Sequence, residues 1–128
     1  MKLHVLVLDG VFDMGLSAVL DTFTTANELA ARCSVDVAPF EVAVVGMRRR
    51  VHTSQGLTVP VGTMLDAAAA DWVVVPAVGY KMPEALLPAL DRSDVRDAGA
   101  ALRECASAGT PIAAACIGTF VLAESGLL

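Results

Sequence analysis

Cysteine and histidine are scarce in this sequence, and few of its residues suit a metal or a redox centre. The three cysteines, Cys33, Cys105 and Cys116, show no C-x-x-C spacing and leave one over, so neither a zinc site nor a disulfide framework is indicated. His4 and His52 are the two histidines, and both fall outside the segments expected to form a site. We therefore expect no metal and no other cofactor.

Positive charge is also in short supply. Nine Lys and Arg residues stand against fourteen Asp and Glu residues, which gives a formal net charge of -5 and a pI near 4.8. Affinity for nucleic acid comes mainly from clustered basic side chains. The one basic cluster, Arg48 to Arg50, is interpreted as a solvated turn between two strands. The chain itself is therefore not expected to bind DNA or RNA.

Uninterrupted apolar runs are too short for a membrane span. The run after Lys2 stops at Asp9, with no small-residue cleavage site, so no signal peptide is predicted. Residues 106–123 contain no charge, but Pro111 and two glycines divide them into a helix end, a buried strand and a new helix. We expect a cytoplasmic protein without membrane contact.

Apolar residues are abundant, and their pattern predicts an α/β fold. They make up 55% of the 128 residues against 18% charged residues, a ratio that favours buried parallel strands in one domain. Strands and helices alternate, which predicts a doubly wound, mostly parallel sheet with helices on both faces. The predicted strands are 3–8, 41–47, 72–76 and 112–115, with hairpin-like pieces over 48–61. The predicted helices run from an Asp13 cap to Arg32, from Pro83 to Pro88, onward from an Asp94 cap, and from Cys116 to Glu124.

Ligands of such sheets bind outside the carboxyl ends of the strands. Three segments are expected there: 9–13, 76–81 and 116–119. In the last of these, Cys116 stands between a buried strand and a helix, where a sharp turn exposes it and the helix dipole favours a thiolate. The alternative is a cysteine that serves as a small buried hydrophobe, which is our interpretation of Cys33 and Cys105.

The segment Pro111 to Leu128 resembles a known family. It reads PIAAACIGTFVLAESGLL, which matches the elbow of the ThiJ/PfpI superfamily. The pattern C-x-G-x-F-x-L-A-x-x-G-L-L is characteristic of the branch that forms the N-terminal domain of AraC-type transcriptional regulators. Residues 16–27, 53–56 and 71–76 resemble other motifs of this branch, so the resemblance spans nearly the whole chain.

The resemblance implies a flavodoxin-like, commonly dimeric domain with a small-molecule pocket around the elbow cysteine. It also implies that the domain is incomplete at Leu128, and that DNA is bound only through a C-terminal helix-turn-helix domain outside this chain. The residues expected to line the pocket are Asp13, Gly79, Tyr80, Cys116, Ile117, Gly118 and Thr119.

The sequence departs from the catalytic members of the family at three points. Ile117 stands where they carry a histidine, so the base that would activate the thiol is missing. Asp21 replaces a glutamate and is one methylene shorter. Ala77 and Val78 replace paired glycines, and their Cβ atoms would crowd an oxyanion site.

Three hypotheses follow. The first is a non-catalytic ligand-sensing and dimerisation domain of an AraC-family regulator. The second is a ThiJ/PfpI-type enzyme, such as an isonitrile-hydratase-like lyase or an amidase, with Cys116 as nucleophile and Asp21 as its acid-base partner. The third is redox sensing through a sulfenic acid at Cys116.

Overall fold

The sheet and its helices alternate along the chain as the sequence predicts. A computed structural model describes residues 1–66 and 69–128. The strands are β1 (Lys2–Val7), β2 (Glu41–Gly46), β3 (Arg50–His52), β4 (Thr58–Pro60), β5 (Thr63–Met64), β6 (Trp72–Val75) and β7 (Ile112–Ala114). The helices are α1 (Asp13–Arg32), α2 (Pro83–Leu90), α3 (Ser93–Ser107) and α4 (Thr119–Glu124), and a 3-10 turn (Cys116–Gly118) precedes α4.

Within the described residues, five strands form a wholly parallel sheet in the order β5-β2-β1-β6-β7. The strand order reverses beside β1: the chain first adds β2 and β5 on one side of β1, and then adds β6 and β7 on its other side. Strands β3 and β4 form a separate antiparallel hairpin, as the pieces over 48–61 predicted. The predicted α/β class is confirmed, whereas the two-residue strand β5 has no counterpart in the prediction.

Helices cover both faces of the sheet. On one face, Leu3, Val5 and Val7 of β1 pack in one hydrophobic cluster with Leu16 of α1. On the other face, Leu6 belongs to a larger cluster that includes side chains of α2, α3 and α4. This alternation follows from the two-residue period of a strand, which sends neighbouring side chains to opposite faces.

The two predicted helix caps are wrong. Asp13 is the first residue of α1 and Asp94 the second of α3, and neither helix has a side-chain cap hydrogen bond. Their carboxylates bind other partners instead: Asp13 accepts from Ser54, and Asp94 accepts from Arg92. A cap assignment from sequence fails here because tertiary partners compete for the same oxygen atoms.

Two other local predictions also need correction. Pro88 does not end α2, which continues to Leu90. Cys33 is exposed at the end of α1 and so is not a packing residue, whereas Cys105 is fully buried as predicted.

The charge-free stretch 106–123 is divided between α3, β7, the 3-10 turn and α4. In the described part of the chain, no helix is long and apolar enough to cross a membrane.

Gly118 fixes the distance between β6 and the turn that follows β7. A Cβ atom at this position would lie 2.5 Å from the carbonyl oxygen of Pro76 and 2.6 Å from that of Val75. Both are backbone atoms that cannot rotate away. Glycine is therefore required because the two backbone segments approach each other closely. Its φ angle of -56° is ordinary and imposes no such requirement.

We expect Gly118→Ala to destabilise the fold by about 1–3 kcal/mol, the usual cost of forcing an extra group into a packed site. Urea denaturation measures the change. Gly62→Ala is the matched control, because its Cβ would lie 3.8 Å from the carbonyl oxygen of Val44, an ordinary contact. Equal stability of the two variants would contradict the assignment.

We also expect acid to weaken the fold through His4. This β1 side chain is 6% exposed, and its Nδ1 atom has no hydrogen-bond partner among the described residues. Burial lowers the pKa of His4 below its usual 6.5, although the carboxylate of Asp66 opposes this effect. The unfolded chain therefore binds a proton that the folded chain rejects, and stability falls as the pH drops below 6.5.

Unfolding free energies of His4→Gln and of the parent chain, compared across this pH range, test the effect. The variant is expected to lose less stability on acidification than the parent chain does. His52→Gln serves as the control because its ring is exposed. A parent chain and a His4→Gln variant with the same pH slope would refute this role for His4.

Candidate functional site

Cys116 is the first residue of the 3-10 turn and lies at a strained bend after β7. Its φ angle is +54°, in the left-handed region that residues other than glycine rarely adopt, and the residue is exposed. Strained backbone of this kind is concentrated at functional sites. The structure thus contains the strand, bend and helix predicted from the sequence, with the thiol at the bend.

Backbone contacts with β6 hold this bend in place. The amide of Ala115 donates to the carbonyl oxygen of Val75 (3.0 Å), and the amide of Gly118 donates to that of Ala115 (2.9 Å). The α-helix begins at Thr119, three residues later than predicted, and is six residues long. The helix-dipole argument for a thiolate therefore has little support.

The side chains beside Cys116 offer it no base. Ile117 is half-buried and packs against the larger hydrophobic cluster, while Thr119 is exposed at the start of α4. Across residues 1–66 and 69–128, the thiol of Cys116 makes no hydrogen bond. A general base must lie within hydrogen-bond reach of its nucleophile, and this geometry supplies none.

The loops after β1 and β6 are joined by backbone hydrogen bonds. The amide of Phe12 donates to the carbonyl oxygen of Ala77 (2.8 Å), and that of Gly79 donates to the carbonyl oxygen of Gly10 (2.7 Å). The β3–β4 hairpin joins them, because the Ser54 amide donates to the carbonyl oxygen of Val11 (2.9 Å). We call these three segments, 9–13, 52–55 and 76–80, the loop clasp. These hydrogen bonds close the crevice between the loops that follow β1 and β6, which is where the strand order reverses.

Asp13 belongs to this clasp. Its Oδ2 atom accepts from the Ser54 hydroxyl (2.9 Å) and from the Gln55 amide (3.1 Å). Hydrogen bonding from the Thr53 side chain, reinforced by Ser54 and Gln55, holds the pKa of Asp13 below its usual value. The carboxylate therefore stays charged and anchors the hairpin turn.

Gly79 and Tyr80 also contact the clasp and its surroundings. A Cβ atom on Gly79 would lie 2.3 Å from that of Ser54, so glycine is required there. The Tyr80 ring lies against Gly10, and its hydroxyl accepts a hydrogen bond from Nη1 of Arg92 (2.8 Å). These two predicted pocket residues are therefore placed with the hairpin and the start of α3.

Asp21 is carried away from the carboxyl edge of the sheet by α1. It lies eight residues after Asp13, about 12 Å along the helix axis, and is exposed. Of the two histidines, His4 is buried in β1, whereas His52 belongs to the loop clasp, and its Nδ1 atom lies 3.5 Å from Oδ1 of Asp9. No group of three or more His, Cys, Asp or Glu side chains in the described ranges could hold a metal ion.

The structure adds one network that the sequence analysis missed. Nε and Nη2 of Arg92 donate to the two carboxylate oxygens of Asp94 (3.0 and 2.9 Å), and Nη2 also donates to the carbonyl oxygen of Asp9 (2.6 Å). These pairings raise the pKa of Arg92, chiefly through the hydrogen bond to Asp94. A lone arginine two residues before an aspartate carries no distinctive sequence signal.

Comparison with solved structures identifies similar folds. An AraC family transcriptional regulator from Pseudomonas putida superposes with a TM-score of 0.74 at 23% identity, over 99% of this chain and 62% of that chain. A putative transcriptional regulator from Vibrio parahaemolyticus gives a TM-score of 0.72 at 21% identity, over 100% of this chain and 62% of that one. The present chain thus spans less than two thirds of each regulator, and these identities show the fold alone.

Sequence comparison gives a closer relationship. An uncharacterised protein encoded in the cpoL 5′ region of Streptomyces lividans is 32% identical over 128 residues, which are 99% of this chain and 81% of that protein. The model of the DJ-1/PfpI family matches residues 1–128. With the elbow at Cys116 and the parallel sheet beneath it, these matches show that the chain belongs to the DJ-1/PfpI family.

Proposed function

We propose that this domain senses a small molecule and dimerises within an AraC-type transcriptional regulator in the cytoplasm, with a non-catalytic pocket around Cys116. The observation that carries the proposal is an exposed, strained elbow cysteine whose neighbour Ile117 packs into the core. The fold likeness to two solved transcriptional regulators supports it. In this proposal DNA is bound by a separate helix-turn-helix domain of the parent protein.

The backbone near the elbow gives further support. An acyl-transfer enzyme needs free amide groups that point at the developing oxyanion. Ala77 and Val78 are buried, and the neighbouring amide of Gly79 and carbonyl of Ala77 are hydrogen-bonded to the loop after β1. These backbone groups of the loop after β6 are thus bound within the clasp and are not free to bind an oxyanion. This favours a binding role over catalytic turnover.

A ThiJ/PfpI-type enzyme remains the second candidate, because the φ angle of +54° at Cys116 is the strain expected of a nucleophile elbow. Such an enzyme would use Cys116 as its nucleophile. Its acid-base partner would be Asp21, which is exposed about 12 Å further along α1 than Asp13.

Alkylation rates of the cysteines separate the two candidates. Cys33 and Cys116 are both exposed, whereas Cys105 is buried, so one chain carries its own positive and negative controls. For a sensing domain we expect iodoacetamide to modify Cys116 within about threefold of the rate at Cys33 across neutral pH, because no base activates it. Peptide mass spectrometry measures both rates. A Cys116 that reacts about a hundredfold faster would favour the enzyme.

The dimer is expected to use the exposed side of α1. All twenty residues of α1 are described, and Leu16 alone is buried. Met14 and Leu29 are 72% and 53% exposed and lie about four turns apart along the helix. Large apolar side chains that stay exposed on a long helix are candidates for a contact with a partner.

Sedimentation velocity should therefore give twice the chain mass of 13.2 kDa. Leu29→Lys is expected to weaken the dimer by at least about tenfold, since it places a charge in the apolar contact. Leu87→Lys on α2 is the matched control, because Leu87 is also an exposed leucine on a helix. A chain that stays monomeric at high concentration would contradict this part of the proposal.

A further inference from the structure

A cavity lies at the carboxyl end of β1 and β2. Its volume is about 380 Å³, and the residues that line it are Asp9, Arg48, Arg50, Arg92, Ser93 and Asp94. In the sheet order, β6 separates β1 from β7, so the cavity and the elbow stand over different strands. None of its lining residues, as far as the structure describes them, belongs to the elbow.

Arg92 forms a fixed wall of this cavity. Its guanidinium is bound to Asp94 through two nitrogen atoms, and it also donates to Tyr80 and to the backbone of Asp9. Asp94 is itself 8% exposed and accepts a third hydrogen bond, from the Asp9 amide (3.3 Å). The charges of Arg92 and Asp94 therefore compensate each other within one rigid pair.

Arg50 and Arg48 are the exposed cations of the cavity. Arg50 is exposed at the start of β3, and among the described residues its side chain has no hydrogen bond or ion pair. Arg48 donates to Asp97 (3.0 Å), but the two side chains are 46% and 49% exposed. Exposed ion pairs of this kind contribute little to stability, so Arg48 can exchange Asp97 for a ligand.

Asp9 is the remaining acid of the cavity. Its Oδ1 atom accepts from the His52 amide (2.7 Å), so this oxygen atom is bound to the hairpin. Ser93 adds a hydroxyl donor that Arg48 now contacts at 3.3 Å. Apart from the Arg92–Asp94 pair, the lining thus combines two exposed guanidinium groups with a hydroxyl group and the Asp9 carboxylate, in a chain whose net charge is -5.

We propose that this cavity binds a phosphate dianion, with Arg48 and Arg50 as its principal ligands and Ser93 as a hydrogen-bond donor. Guanidinium groups bind phosphate oxygens through paired hydrogen bonds, and two such groups neutralise the charge of a dianion. A single carboxylate would leave one of the two cations unpaired. The volume of about 380 Å³ leaves room for more than the anion itself, so the phosphate has two possible sources, the free ion and a small phosphorylated metabolite.

Calorimetric titration of the whole chain tests the site, with inorganic phosphate and glycerol phosphate as probes at constant ionic strength. We expect phosphate to bind with a Kd on the order of 1 mM, and Arg50→Gln to weaken binding by about tenfold. Arg49→Gln is the matched control, because it removes the same charge from the adjacent residue, which lines a different cavity. Its affinity is expected to stay within about twofold of the parent value.

Glycerol phosphate that binds at least as tightly as phosphate would assign the site to a phosphorylated metabolite, and weaker binding would assign it to the free ion. Equal losses in Arg49→Gln and Arg50→Gln would overturn the proposal, since general electrostatics would then explain the binding. Absence of saturable binding by either probe would also overturn it. Cys116→Ser is expected to bind phosphate unchanged, so failure of this site and failure of the elbow pocket can be told apart.

Discussion

Strand β1 is covered on both edges and on both faces, and the positions of the other functional segments depend on it. Its edges pair with β2 and β6, and its side chains alternate between the two hydrophobic clusters. A strand buried in this way cannot shift by one residue without exchanging its two faces. The loop that leaves it, 9–13, is therefore held at a fixed height above the sheet. Through that loop β1 positions the hairpin, the start of α1, the loop after β6 and the Arg92–Asp94 pair.

The loop clasp limits where a ligand can bind at the carboxyl edge of the sheet. In a doubly wound sheet the crevice where the strand order reverses is the usual place for a ligand. Here the backbone groups of Gly10, Phe12, Ala77 and Gly79 bind one another across that crevice. The arginine-lined cavity lies beside this closed crevice, whereas the pocket that we propose at the elbow lies beyond β7. The elbow keeps the strained cysteine typical of its family without a base beside it, a combination that suits recognition better than turnover.

The sequence predicts the strands and the elbow well, and it predicts the contacts between the loops poorly. Continuous apolar runs and Gly-Pro punctuation indicate β1, β2, β6 and β7 correctly, because buried strands depend on local composition. The elbow is predictable too, since Gly118 and Cys116 leave a local motif. Asp13 and Asp94 are misjudged as caps, because their partners, Ser54 and Arg92, are known only once the chain has folded. The cavity was not predictable for the same reason. Arg48 and Arg49 lie between two strands as predicted, but Arg50 begins β3 and the third cation, Arg92, comes from a distant segment.

Protection of Cys116 by a bound small molecule distinguishes a binding pocket at the elbow from a catalytic one. A metabolite library is screened for the compound that most raises the melting temperature of the chain, and alkylation is then repeated in its presence. The account predicts slower alkylation of Cys116, an unchanged rate at Cys33, and recovery of the compound chemically intact. A stabilising compound that leaves Cys116 as reactive as before, or that is recovered as a product, would contradict a non-catalytic pocket at the elbow.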